Sequence, residues 1–175
     1  MRKLKQACLP FISFLFLGIF ILSEMYSSLF ADQKTLVFST WEGFEADKCA
    51  SIWLIKRFID KNAIIKFFPK GEFINEGIPF DTPDAKLRRY QNMSTYESIL
   101  KYYNLQDPKL VYIGKIMHDI EVNIWEKKIF LETNNIQNEI QNIIMDSRNN
   151  NEVIERSCKY FDSFYQGIKQ LQPDS

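Results

Sequence analysis

The sequence predicts an α/β fold: a small, partly parallel sheet containing a βαβ unit, then a mostly helical C-terminal half, with α+β as the alternative. Three observations carry this. Residues 35–40, TLVFST, and 63–69, AIIKFFP, are β-branched and aromatic runs, the pattern of short buried strands. Between them, DKCASIWLIKRFID at 47–60 has apolar positions at helical spacing. Beyond residue 94 the apolar residues recur every three or four positions. A strand, a helix and a strand in quick succession form a right-handed crossover with parallel strands.

The elements follow in order. WEGFEADK turns the chain at Gly43 after the first strand. Glu42, Glu45 and Asp47 gather before a helix predicted over 46–61, where acids suit the macrodipole. Its broad stripe is Cys49, Ile52, Trp53, Leu54, Ile55, Phe58 and Ile59. Pro69 and Gly71 close the second strand. GIPFDTPDAK is irregular, with room for one short strand at 78–81. Ser94 and Glu97 have capping-box spacing. Asp107-Pro108 opens a further helix to about Val122, with Pro at the first position. Ile136, Ile140, Ile143 and Ile144 mark the next. Ile154, Cys158, Phe161, Tyr165 and Ile168 mark the last, and the tail QPDS is expected to fray.

A chain of 175 residues suits one domain. Formal net charge is +0, which gives a nucleic-acid role no electrostatic support. With 46% hydrophobic residues, including 15 Phe, a packed core is expected rather than disorder.

Residues 1–31 read as a secretory signal. MRKLKQA is basic, CLPFISFLFLGIFILS is apolar, and Ala31 supplies a small residue at a cut. The apolar run is shorter than the roughly 20 residues that span a bilayer. An uncleaved anchor is the alternative, and membrane contact is expected only through this segment. Cys8 precedes the apolar run, badly placed for lipid attachment. Residues 32–175 are then a single, slightly acidic exported or periplasmic domain. Export would let a Cys49–Cys158 disulfide persist. Both cysteines also fall on apolar helix faces, which favours two buried thiols.

Strong chemical motifs are missing. There is no phosphate loop, dinucleotide glycine pattern or Cys-x-x-Cys pair. His118 is the one histidine, so a zinc site with two is excluded. In MHDIE, His118 and Glu121 share a helix face. The alternative is a partly exposed His near a helix C-terminus. Lys86, Arg88 and Arg89 form a basic group able to grip an oxyanion from a cleft.

The opening helix also carries a resemblance. DKCASIWLIKRFID resembles a segment of the chromate resistance exported protein family, a domain also found at the C-terminus of ChrB-type chromate resistance proteins. That segment reads approximately Asp-Arg-x-Ala-x-x-Trp-Leu-Ile-x-Arg-Phe-Ile-Asp. Asp47, Ala50, Trp53, Leu54, Ile55, Arg57, Phe58, Ile59 and Asp60 match it, with Lys48 for the Arg. FFPKGEF, GIPFDTPDA, STYESILKYYNLQDPKL, IGKIMHDIEV and the closing helix resemble later segments, so the resemblance spans about 35–170. There are departures. Arg88, Arg89 and Tyr90 occupy the region where the family has His, Ser94 stands for its Cys, and Trp41 for an Arg. The resemblance implies an association with chromate resistance rather than a defined reaction.

Three functional readings remain at this level. The first is an exported accessory protein binding chromate or a related oxyanion, with Asp47, Lys48, Arg57, Asp81, Arg88 and Arg89 as candidate ligand-binding residues. The acids around 42–47 stand against it, since a dianion would meet like charge. The second is a divalent-metal site built from Asp47, His118 and Asp119, in keeping with oxygen-rich ligands. The third is a family member acting only through a protein partner. Within the helix, Arg57 and Asp60 read better as structural partners. Asp47 and Lys48, at a strand-to-helix turn, read better as site residues, so Asp47→Ala is expected to spare the fold.

Overall fold

The computed structural model describes residues 35–124 and 126–169. The expected signal at 1–31, with Cys8, and the tail at 172–175 lie outside them. Among the described residues no helix is long and apolar enough to cross a membrane.

Three short strands make the sheet: β1 (Val37–Trp41), β2 (Ile64–Phe68) and β3 (Ile78–Pro79). Their order is β2-β1-β3, and both pairings are parallel. The small sheet is thus parallel among the described residues, as the βαβ unit requires. Phe38 of β1 lies opposite Ile65 on one side and Ile78 on the other. Gly77 admits β3 to this position. A Cβ there would fall 2.7 Å from Ser39 Oγ and 2.8 Å from the Val37 carbonyl.

The crossover helix α1 (Ala46–Leu54) gives way to one π-helical turn, Ile55–Ile59. The Asp60 N–H donates to the Ile55 carbonyl at 2.9 Å, five residues back. The predicted helix over 46–61 therefore ends early and widened. Asp60 then accepts the N–H groups of Leu36 and Asn62, both at 2.8 Å, which ties the helix end to the entry of β1.

Four helices follow: α2 (Thr95–Tyr102), α3 (Pro108–Glu121), α4 (Thr133–Asp146) and α5 (Asn150–Gly167). Their starts are chemically specified. Ser94 and Glu97 complete both bonds of the capping box on α2. The Asp107 carboxylate accepts from Lys109 and Leu110 ahead of α3, and Asn149 accepts from Glu152 ahead of α5.

All four pack against α1, whose nine residues are all buried, including Asp47, Lys48 and Ser51. The stripe read from the sequence is therefore a helix enclosed on every side. Trp53 is 1% exposed and contacts the rings of Phe58, Phe161 and Tyr165. Cys49 and Cys158 lie in the same core as free thiols. Burial pushes them up to about 12 and about 11, so neither is a ready nucleophile.

Candidate functional site: a charged crevice at the sheet's C-terminal edge

The crossover from β1 leads to β2 on one side, and the chain later returns as β3 on the other. The C-terminal ends of β1, β2 and β3 therefore share one edge of the parallel sheet, the edge at which open parallel sheets bind ligands. A pocket of about 320 Å³ opens there, lined by residues 41–45 with Lys48, Lys70 and Asp81.

Its floor is set by the β1–α1 turn. Gly43, at φ 96°, permits the reversal. The Lys48 ammonium donates to the carbonyls of Trp41 at 2.9 Å and Gly43 at 2.8 Å, and it pairs with Asp81 Oδ2 at 3.3 Å. All three N–H donors are thus engaged, so Lys48 supplies field to the pocket while it holds the turn. Asp81 follows β3 at φ 52°, a strained setting for a residue other than Gly. Its N–H donates to the Leu87 carbonyl at 2.7 Å, and its Oδ1 accepts the Thr95 hydroxyl at 2.8 Å. Glu45, which lines the pocket, is the N-cap of α1 and makes no capping bond through its side chain.

Acids dominate the electrostatics. The protein around Glu45 and the charge of Asp81 raise its carboxyl above the usual range, against Lys48, Arg89 and Lys70. Glu121, at the end of α3, is raised to about 7 by partial burial and Glu45, with Asp81 adding and Arg89 opposing. Arg89 Nη1 donates to the Glu121 carboxylate at 3.3 Å and to its carbonyl at 3.2 Å.

The residues read from the sequence separate into groups. Lys48 and Asp81 line the crevice, and Arg89 stands beside it. Asp47 lies beneath it, 1% exposed, accepting the N–H of Thr95 at 2.7 Å and of Tyr96 at 3.0 Å. Burial and Asp81 push this carboxyl well up, against the pull of those two N–H groups. Its oxygens face the start of α2 rather than the pocket.

Arg57 is remote from the crevice. It grips Asp162 of α5 through Nε at 2.9 Å and Nη2 at 2.9 Å. Arg88 covers the Tyr90 ring at 4.8 Å.

The metal set Asp47, His118 and Asp119 is not assembled, because each has a different partner. His118 Nδ1 lies 2.9 Å from Glu97 Oε2. Asp119 organises the chain after α3. It accepts from Asn123 at 2.7 Å, the Ile129 N–H at 2.8 Å and the Thr133 hydroxyl at 2.6 Å. Burial works to raise the Asp119 carboxyl, but these donors outweigh it and hold the carboxyl below the usual range. Among the described residues no three His, Cys, Asp or Glu side chains are grouped to hold a metal ion.

Lys70 escaped the sequence reading. Its signal was its place directly after β2, at the same sheet edge. Glu121 was paired there with His118 on one helix face, whereas its partner in the fold is Arg89.

Among known proteins, the family model described as ChrB, C-terminal domain, matches residues 38–168. No curated protein and no solved structure matches the chain.

Proposed function

The chain belongs to the family of the ChrB C-terminal domain, and from that membership we propose an exported accessory protein of chromate resistance that binds an oxyanion of the chromate class in this crevice. One observation carries the reading. The start of α1, where the N-cap Glu45 makes no capping bond through its side chain, opens into the pocket that Lys48 and Lys70 line at the C-terminal edge of the sheet. Unpaired helix N–H groups and cations together attract anions.

The acids explain how such a site would work rather than abolish it. Glu45, in the lining, holds its proton to higher pH than an ordinary carboxyl. A protonated carboxyl donates a hydrogen bond, where an ionised one repels. Oxyanion binding is then coupled to proton uptake at Glu45 and strengthens as pH falls.

Thermal unfolding of the protein with chromate, sulfate, molybdate and divalent cations tests this. A ligand at 100 times its dissociation constant stabilises by about 2.7 kcal/mol. Stabilisation by chromate, larger at pH 6 than at pH 8, supports the proposal. Stabilisation by divalent cations alone, growing with pH, overturns it in favour of a cation site. No shift with any ligand overturns it in favour of a protein-interaction role.

A further inference from the structure

We propose that the chain pairs with a second copy of itself, the exposed side chains of Ile129 and Leu131 in each copy seating in an aromatic groove of the other.

The groove lies where α3, α5 and the start of α4 meet, and it shares no lining residue with the crevice. Its volume is about 610 Å³, and Tyr112, Tyr160 and Phe164 supply its aromatic lining. Tyr160 and Phe164, one turn apart on α5, lie parallel with centroids 6.5 Å apart. Gly167 keeps the groove open, since a Cβ added there meets nothing within 4 Å. Aromatic side chains of this kind are enriched in the cores of protein interfaces.

Beside the groove the chain holds two aliphatic groups in water. Leu131 is 97% exposed and Ile129 is 71% exposed. The backbone beneath them is pinned. Asp119 accepts the N–H groups of Ile129 at 2.8 Å and Phe130 at 3.3 Å. The Lys128 ammonium donates to the carbonyls of Asp119 and Asn123, and the Phe130 ring meets Tyr112 edge-on at 5.5 Å. A fixed backbone therefore keeps Ile129 and Leu131 from folding back, and burial against a partner recovers the stabilisation they forgo in water.

Knob and groove are contiguous. Phe130 touches Tyr112 of the lining, and Glu132, next to Leu131, belongs to the lining itself. A knob beside a groove on one face is self-complementary about a two-fold axis between them. Each copy gives one knob and receives one, and the pair closes.

The charges suit that axis. Exposed Glu126 and Lys127 precede the knob, and Glu132 and Lys169 stand at the groove. A two-fold pairing brings the acid and base of one copy to the base and acid of the other, without a surplus of either sign. Lys128 takes no part, because carbonyls already engage it. The adjoining exposed side of α4 carries the uncharged Asn134, Asn135 and Asn138. A lipid surface fits less well, since it would cover the knob, leave the groove empty and meet Glu126 and Glu132.

Sedimentation velocity of the protein up to roughly 100 μM, well above the Kd of a micromolar pair, tests this. A monomer–dimer equilibrium with no larger species is expected. Leu131→Asp should weaken it about a hundredfold, because symmetry removes the side chain twice. Phe73→Asp, at an 85% exposed residue outside this face, should leave it unchanged. Gly167→Phe, which fills the groove from its own helix, should also abolish pairing. Mixing Leu131→Asp with Gly167→Phe then separates a lost contact from a lost fold. The first variant keeps its groove and the second its knob, so one of the two contacts re-forms and the mixture should dimerise where neither does alone. A wild type monomeric throughout, a dimer indifferent to Leu131→Asp, or a mixture no more associated than its parts overturns the pairing. A series of larger species overturns the closed pair in favour of head-to-tail assembly. A monomer that binds anionic lipid vesicles through Leu131 overturns it in favour of a lipid-facing loop.

Discussion

The Asp47 carboxylate accepts the main-chain N–H of Thr95 at 2.7 Å, across 48 residues of sequence. With the Tyr96 N–H on its other oxygen, Asp47 joins the start of α1 to the start of α2. The sequence expectation that Asp47→Ala spares the fold therefore changes. That substitution leaves two buried N–H groups without an acceptor, at a cost of about 2–4 kcal/mol. Urea unfolding measures it, and an unchanged midpoint would refute the tie.

Trp53 serves as both packing and anchor. Its indole N–H donates to Asp162 at 2.7 Å, and the same carboxylate receives Arg57. Trp53→Ala is expected to cost about 3–5 kcal/mol. Trp53→Phe, which keeps a ring but loses the donor, should lose about 1 kcal/mol through that bond plus a smaller packing loss. Equal losses for the two substitutions would mean that the bond to Asp162, not the packing of the ring, sets the cost.

Asp119 makes stability depend on acid. Its folded pKa is lowered, so its contribution is complete above the unfolded value of about 3.9 and disappears as pH falls through the lower folded value. Asp119→Asn should remove part of that acid limb and speed hydrogen exchange at Ile129 and Phe130, whose N–H groups it holds. Unaltered exchange at both amides would dismiss its role as the organiser of 123–133.

Glu121 has the opposite sign. Its pKa rises from 4.5 to about 7 on folding, so the folded state binds more protons between those values and stability declines as pH rises through them. Partial exposure reduces the effect to something on the order of 2 kcal/mol. Glu121→Gln should flatten the decline and stabilise the protein at pH 8. A melting profile parallel to wild type from pH 5 to pH 8 would contradict the shift.

Much of the architecture was legible in the residues themselves. The Ser94–Glu97 box, the Asp107-Pro108 start and the β-branched runs act on the backbone a few positions away, so their spacing specifies caps, strands and helices directly. The place of Lys48 at a strand-to-helix turn of a parallel sheet was legible, and the fold puts it in the lining of the pocket there. The partners of Asp119 and His118 were not legible, for the complementary reason. Neighbours in sequence at the end of α3, these two residues point to Thr133 and Glu97 respectively, and no local pattern reveals such partners.

The sequence by itself determined the order of elements, the apolar stripe of the helix around Trp53 and the segments shared with the family, because periodicity and capping are local properties. Only the tertiary structure decided which charges meet. The strand order β2-β1-β3 brings the turn after β1 against Asp81, and the end of α3 brings Glu121 to Arg89. Coulomb interactions and burial depend on distances between residues far apart in the chain. The shifted carboxyls of the crevice are therefore properties of the folded arrangement, and the spacing of residues along the chain does not contain them.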